Sequence, residues 1–327
     1  MGRILITGGA GFIGSTLVEA LIERGNEVVV FDDFSNGKMR NLRNVKRKSL
    51  KIVKGDVKDL EALRAVAKHV DQIFHLAVKN LRVSLKKPAP VHEVNATGTF
   101  NVCMVVKENR KKIRKLLFTS TGEVYGVAQY FPIDEKHPYG STNVYAASKV
   151  AGEMYIKTFH HLYNIPSVIV RLFNTYGPKS VQTGYAEVIP KFCKRVINGL
   201  PPIIYGDGNQ TRDFTYVSDI VNGILLASEC DELIGDVVNL ASGKETSINQ
   251  LAKIILRIFG RDDELQPIHT RPRPGDLRRS VADISKANQL IGYKPQTSLE
   301  SGLKKYVKWL IQKSGRRVLT PIELQSE

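Results

Sequence analysis

Arg3-Ile4-Leu5-Ile6-Thr7-Gly8-Gly9-Ala10-Gly11-Phe12-Ile13-Gly14 opens the chain, and its reading decides the fold. The first five residues are a short apolar run of strand type. Gly8, Gly11 and Gly14 then recur at every third position. Beyond them Ile13, Leu17, Leu21 and Ile22 follow near helical spacing, and Gly25 stops that helix. Glu27-Val28-Val29-Val30-Phe31 is a second strand, and Asp32 ends it. A glycine motif alone could be a tight turn with no ligand. Strand, glycine turn, helix, strand and acid in this order is the context in which it binds a dinucleotide. The glycines admit a pyrophosphate close to the backbone, and the helix N-terminus supplies amide donors and a favourable dipole. Asp32 is placed to accept from the adenosine ribose hydroxyls. A carboxylate there repels a 2′-phosphate, which favours NAD over NADP.

The pattern continues through the first half. Further strands are expected at residues 50–53, 72–77, 115–120 and 167–172, with helices between them, for example over 59–68 and 93–108. Alternation of this kind makes an α/β chain with a doubly wound parallel sheet. Asp56, after the third strand, is placed to meet adenine, and His75-Leu76-Ala77 ends the fourth beside the crevice where such sheets bind ligands. A dinucleotide-binding domain is expected over residues 1–173. A smaller α/β substrate domain over 174–313 would interleave with it through a strand at 236–243 that returns to the large sheet. Helices are expected at 247–259 and 299–311, and residues 314–327 read as a loosely held tail.

Tyr145 and Lys149 stand four apart in Val-Tyr-Ala-Ala-Ser-Lys. On a helix they share a face. The ammonium is expected to lower the phenol's pKa by proximity. A tyrosine tuned in this way exchanges a proton with a sugar hydroxyl while a nicotinamide takes the hydride from the same carbon.

Composition bounds the rest. The chain has 327 residues, 42% hydrophobic and 24% charged, within the range of an ordinary globular protein. A strand beginning at residue 3 leaves no room for a signal peptide, and no apolar run reaches spanning length, so a cytoplasmic location is expected. Cys103, Cys193 and Cys230 are far apart and lack metal-ligand spacing. The formal net charge of +16 raises nucleic acid as a partner. The basic residues are spread along the chain without a nucleic-acid motif, so a solvated basic surface that attracts an anionic nucleotide sugar is the better reading.

Thr7-Gly8-Gly9-Ala10-Gly11-Phe12-Ile13-Gly14, Gly55-Asp56, His75-Leu76-Ala77, Asn95-x-x-Gly98-Thr99, Ser120-Thr121-Gly122-Glu123-Val124-Tyr125-Gly126, Tyr145-x-x-x-Lys149, Arg171-Leu172-Phe173-Asn174-x-Tyr176-Gly177-Pro178 and Arg212-Asp213-Phe214 follow one another along nearly the whole chain. In this the chain resembles the extended short-chain dehydrogenase/reductase family of nucleotide-sugar epimerases and dehydratases. The resemblance implies a Rossmann-type sheet, tightly bound and recycled NAD, a nucleotide-diphosphate sugar substrate and a homodimer built on the helices near 93–108 and 145–162. It implies Tyr145 as acid/base, Lys149 on the nicotinamide ribose, and Thr121 as the hydroxyl bonded to the reacting sugar oxygen. Phe12, Ile13, Asp32, Asp33, Asn36, Asp56, Val57, Leu76, Ala77, Asn95 and Phe173 fall at NAD-contact positions. Asn174, Arg212, Arg273 and Asp276 fall at positions that hold the nucleotide diphosphate or its ribose, and the arginines suit phosphate oxygens through bidentate bonds.

The reaction turns on Glu123. The shared first step in the family is oxidation at the sugar's C4. A 4-epimerase then turns the ketosugar and returns hydride to the other face. Simple 4-epimerases usually carry a small or hydroxyl residue where Glu123 stands, whereas dehydratases and glucuronate decarboxylases carry glutamate. A buried glutamate with a raised pKa could remove the C5 proton, or it could be a structural carboxylate. Its neighbour Gly122 stands where 4,6-dehydratases place an aspartic acid. The leading reading is a UDP-sugar 4-epimerase on glucose, galactose or an N-acetyl analogue. The alternatives are a Glu123-dependent 4,6- or 5,6-dehydratase or a UDP-glucuronate decarboxylase and, more remotely, a non-catalytic NAD-binding protein. The loop 78–84 reads one residue shorter than the family's, and Lys79 or Asn80 is the candidate for a nicotinamide-side contact there.

Overall fold

The structure, a computed structural model, describes residues 2–180, 187–273 and 275–314. Seven parallel strands form the main sheet: β1 (Arg3–Thr7), β2 (Glu27–Asp32), β3 (Leu50–Lys54), β4 (Gln72–His75), β5 (Lys115–Thr121), β6 (Ser167–Leu172) and, returning from late in the chain, a strand at Val237–Leu240. Their spatial order runs from that late strand through β6, β5, β4, β1 and β2 to β3. Between β6 and the returning strand lie β7 (Asn174–Tyr176), β8 (Ile203–Tyr205) and β9 (Thr211–Tyr216), so the returning strand is β10. Two more follow, β11 (Glu245–Ser247) and β12 (Ile268–Thr270). β9 pairs with β7 and β11, and β8 with β12, in two small sheets.

Alternation along the strands sends successive side chains to opposite faces. Ile4 and Ile6 of β1 join Val28 and Val30 of β2 on one face. Leu5, Val29 and Phe31 join the core on the other. The first face is covered by α1 (Phe12–Glu23), the second by α2 (Leu60–Ala67), α5 (Gly98–Glu108) and α6 (Val144–Tyr163), and the short helices α3 (Leu81–Ser84) and α4 (Pro88–His92) pack against α6. With helices on both faces the inner strands are buried on both sides, which accounts for their unbroken apolar runs. A third core lies between α7 (Val188–Val196), α9 (Ile248–Ile258) and α11 (Leu299–Ser314). Completing the set, α8 (Val217–Glu229) and α10 (Ser285–Ile291) pack on the α1 face.

Local chemistry sets the helix ends. Asp59, Asn143 and Ser247 cap α2, α6 and α9 by accepting from the N–H of Ala62, Ala146 and Gln250, and Ser247 and Gln250 form a full capping box. Three differences from the sequence reading stand out. The fourth strand stops at His75, and Leu76 and Ala77 leave the sheet as the first residues of a cleft loop. The helix expected over 93–108 contains a wide turn at Glu93–Thr97 before α5. Gly98 follows it with its Cα so close to Val57 that a Cβ would lie 2.5 Å from Val57 Cγ2. At the other end, α11 runs on to Ser314, and the expected tail beyond it lies outside the described residues.

Candidate active site

A cleft of about 940 Å³ opens at the carboxyl ends of β1, β2, β4, β5 and β6, where open parallel sheets bind ligands. Gly8 has φ +72°, and a Cβ there would lie 2.7 Å from Ala77 N. A Cβ on Gly14 would lie 2.3 Å from Gly8 O. Neither position tolerates a side chain. Gly11 precedes α1 and gives it no side-chain cap, so the first amides of that helix face the cleft without a protein partner from the cap position. Phe12 and Ile13 line the cleft beside them. A glycine cradle over an uncapped helix N-terminus fits a pyrophosphate.

Asp32 ends β2. Its carboxylate accepts from Ala10 N at 2.9 Å and Phe34 N at 2.8 Å. Burial pushes its pKa up, and these N–H groups only partly offset that. Asp33 is also pushed up by burial, but Ser35 and Lys79 outweigh it and hold its carboxyl below the usual range. Asn36, Asp56, Val57, Leu76, Ala77 and Phe173 line the same cleft. Asn95 does not. It is fully buried, and its side chain accepts from Lys79 N and donates to Lys79 O, both at 2.9 Å. Its side chain grips the main chain of the loop that lines the cleft beside it.

Tyr145 and Lys149 lie on the first turns of α6, and both face the cleft. Thr121, the last residue of β5, is hydrogen-bonded to the Tyr145 hydroxyl. The expected lowering of the phenol's pKa is not what this geometry gives. Burial raises it, the Thr121 bond lowers it in part, and Glu123 and Glu187 push it further up. Burial also pulls Lys149 down to about 7, with Glu153 acting in the opposite direction. Loss of solvent outweighs the helical proximity that the sequence made visible. Lys149 Nζ rests 4.0 Å from the centroid of the Phe118 ring. His75 stacks on the Phe118 ring and bonds Thr7 Oγ1 and Thr99 Oγ1. Thr99 donates its hydroxyl to Asn95 O, so His75 Nε2 must donate to Thr99. Burial, aided by the Lys149 charge, lowers His75 to about 3 and keeps it neutral.

Behind Lys149 lies a group that pattern reading missed. Glu153, fully buried, pairs with Arg171 at 2.7 Å. It also accepts from Ser120 Oγ at 2.5 Å and Tyr139 Oη at 2.8 Å. Arg171 in turn donates to the Tyr125 and Tyr139 hydroxyls. The available signal was spacing, since Glu153 lies one further turn along the face of Tyr145 and Lys149.

The substrate end is charged. Burial raises the Glu123 carboxyl, while Arg212 and a hydrogen bond with Asn143 pull the other way. Gly122 is packed on Phe173, and a Cβ would come within 3.0 Å of its ring. An acid at this position would need Phe173 to move. Arg212 is paired with Asp276 and donates to Leu277 O at 2.7 Å. The Arg273 guanidinium lies 3.6 Å from the centroid of the Tyr205 ring. Asn174, Arg273 and Asp276 line the cleft with Arg212. Arg82 reaches across to Glu187, at the start of α7, at 3.3 Å. No local pattern marks Asn143 or Glu187, whose partners Glu123 and Arg82 are remote in the chain.

A family profile described as GDP-mannose 4,6 dehydratase matches residues 5–306. The UDP-glucose 4-epimerase of Mycolicibacterium smegmatis is 35% identical over 316 residues, covering 95% of this chain and 99% of its own. The solved structure of UDP-glucose 4-epimerase from Thermotoga maritima with UDP-glucose superposes with a TM-score of 0.90 at 34% identity, over 96% of this chain and 100% of that one. The UDP-glucuronic acid 4-epimerase of Bacillus cereus, in complex with UDP-glucuronic acid and NAD, has a TM-score of 0.86 at 30% identity, over 95% of this chain and 99% of its own.

Proposed function

Since the chain belongs to the extended short-chain dehydrogenase/reductase family of nucleotide-sugar epimerases and dehydratases, we propose that it is an NAD-dependent nucleotide-sugar 4-epimerase. The observation that carries this is the reacting corner itself. Thr121 and Tyr145 are hydrogen-bonded at the cleft, and Gly122, packed on Phe173, offers no acid beside them. Epimerisation at C4 requires a proton carrier and a hydroxyl partner, and both are present.

Gly8, Gly11 and Gly14 would hold the pyrophosphate of NAD, Asp32 and Asp33 its adenosine ribose, and Lys149 its nicotinamide ribose. NAD, when bound, supplies a hydride acceptor at the sugar's C4 and later the donor. The chain's own work is the proton. Tyr145 Oη, as phenolate, takes the proton of the C4 hydroxyl as that carbon is oxidised, and Thr121 Oγ1 orients the same oxygen. When C4 is reduced on its other face, Tyr145 returns the proton to the new alkoxide. In the resting structure the phenol is held protonated by burial and by the charges of Glu123 and Glu187. A charged Lys149 favours its ionisation. At the other end Arg212 and Arg273 are suited to the diphosphate of a nucleotide sugar, with Asn174 and Asp276 beside them.

A second reading rests on Glu123. It is partly open to the cleft, and its carboxyl is raised by burial, which suits a base for the C5 proton. That base would make the enzyme a dehydratase or, on a uronate, accompany loss of carbon dioxide. Glu123→Gln separates the two readings. A 4-epimerase keeps its turnover within about tenfold, whereas loss of a general base costs roughly 10²–10⁴.

The proposal includes a homodimer. Phe100, Met154, Tyr155 and Leu162 are exposed on α5 and α6, and these two helices pack side by side. Pairing with a second copy into a four-helix bundle would cover them. No helix among the described residues is long and apolar enough to cross a membrane.

A further inference from the structure

Residues 38–54, which lead from β2 through β3, hold eight lysines and arginines and no acidic residue. Lys38, Arg40, Arg43, Lys46 and Lys48 on the connection are exposed, as are Lys51 and Lys54 on β3. None of these seven side chains has an acidic partner among the described residues. Exposed arginines elsewhere do: Arg24 pairs with Glu229 at 2.6 Å and Arg278 with Asp207 at 2.7 Å. Lysines on an outer strand guard its open edge against pairing, and β3 is the last strand of the main sheet. That accounts for Lys51 and Lys54. It does not account for the cations of the connection, which is not a strand.

The connection is fixed in place from behind. Met39, Leu42 and Val45 recur at every third residue, and so do Arg40, Arg43 and Lys46. A tight helical turn at Met39–Leu42 begins the segment, and at three residues per turn such positions stand over one another. Leu42 and Val45 are buried on the α1 face of the sheet, whereas Met39 is left 55% exposed beside the cations. Lys38 N donates to Ala10 O at 3.0 Å, and Asn41 Nδ2 donates to the same oxygen at 2.9 Å. The basic connection is thus fastened to the glycine loop. Helices α5 and α6, the proposed dimer contact, cover the opposite face of the sheet, so a dimer would leave this surface open.

We propose that the basic connection between β2 and β3 is a docking surface for an anionic lipid membrane, with Arg40, Arg43 and Lys46 on the headgroups and Met39 in the interfacial layer. Lipid headgroups demand charge density and no register, which suits cations that no protein group orients. An exposed apolar side chain among them adds binding by entering the interface. It would add nothing against a phosphate backbone. A nucleic acid is the less suitable partner for a second reason. Residues 38–54 contain no aromatic side chain to stack a base and no α-helix to enter a groove. The contact is peripheral: the protein rests on the surface beside its sheet edge and does not cross it.

Binding is read by co-sedimentation with vesicles of phosphatidylcholine alone and of phosphatidylcholine with about 30% phosphatidylglycerol. Wild type should bind the anionic vesicles, ignore the neutral ones, and come off as salt rises toward about 0.5 M. At roughly fivefold per cation, Arg40→Gln/Arg43→Gln/Lys46→Gln should bind about 100-fold more weakly. Lys244→Gln/Lys253→Gln/Arg257→Gln removes as much charge from exposed positions around α9 and should stay near wild type. Met39→Ser should weaken binding at unchanged net charge. No binding to anionic vesicles at about 0.1 M salt, or equal losses in the two triple variants, would overturn the proposal. Binding to a short DNA duplex with none to the vesicles would overturn it in favour of nucleic acid. If the first triple variant fails to fold by circular dichroism, the three single glutamine variants decide it. No measurement here needs NAD or turnover, so the docking surface and the proposed reaction stand or fall separately.

Discussion

Replacing Glu153 by alanine should damage both the stability of this protein and the charge of its reacting corner. Glu153 and Arg171 are 0% and 2% exposed and pair at 2.7 Å. The carboxylate also accepts from Ser120 and Tyr139, so every strong acceptor site it has is used. Removing one partner of such a pair strands the other charge, at about 3–5 kcal/mol. That is a large part of the roughly 5–15 kcal/mol that holds a folded chain together. A fall in melting temperature on the order of 10 °C follows for a protein of this size. The second consequence is electrostatic. Glu153 is the group that raises Lys149 against burial, so its removal lowers Lys149 further and moves the loss of its charge with rising pH to more acid pH. Urea unfolding gives the first quantity and a pH–rate profile the second. The double variant Glu153→Leu/Arg171→Met should recover most of the stability, because it leaves no unpaired charge. A Glu153→Ala protein less than about 1 kcal/mol weaker than wild type would contradict a buried Glu153–Arg171 pair, since that is the level of an exposed pair.

Two further outcomes follow from the same geometry. Lys149 has a folded pKa lowered to about 7, so the unfolded chain binds more protons there between pH 7 and the ordinary lysine range near 10.4, and this group makes stability rise with pH across that window. Wild type should gain on the order of 2 kcal/mol relative to Lys149→Met between pH 7 and 9 in urea titrations, and a constant difference would contradict a buried Lys149. Tyr145→Phe should lower kcat by roughly 10²–10⁴ while NAD content stays that of wild type, and turnover near wild type would remove Tyr145 from the proton path.

What could be read along the chain was whatever depends on local stereochemistry. The glycines at 8 and 14 announce themselves because no other residue fits against Ala77 and Gly8, and at Gly11 a Cβ would lie 3.1 Å from Gly8 O. Tyr145 and Lys149 announce their shared face by spacing alone, and the returning strand at 237–240 by its apolar run. What depended on tertiary environment was hidden. The sign of the Tyr145 and Lys149 shifts is set by burial, which no four-residue spacing reports. The resemblance places Asn95 with the cofactor, and nothing along the chain announces that its side chain clamps the Lys79 main chain. The partners of Arg82, Lys79 and Arg171 are separated from them by loops or whole strands, so their pairing emerged only in the fold.

The most direct test of the proposed reaction is made in deuterated water. The purified protein is incubated with UDP-glucose, UDP-galactose and UDP-N-acetylglucosamine, and the products are followed by NMR and mass spectrometry. A 4-epimerase keeps the hydride at C4 within the active site, so the expected products have inverted C4 stereochemistry, unchanged mass and no carbon-bound deuterium. Loss of water, or deuterium at C5, would contradict it and make Glu123 the base of a dehydratase.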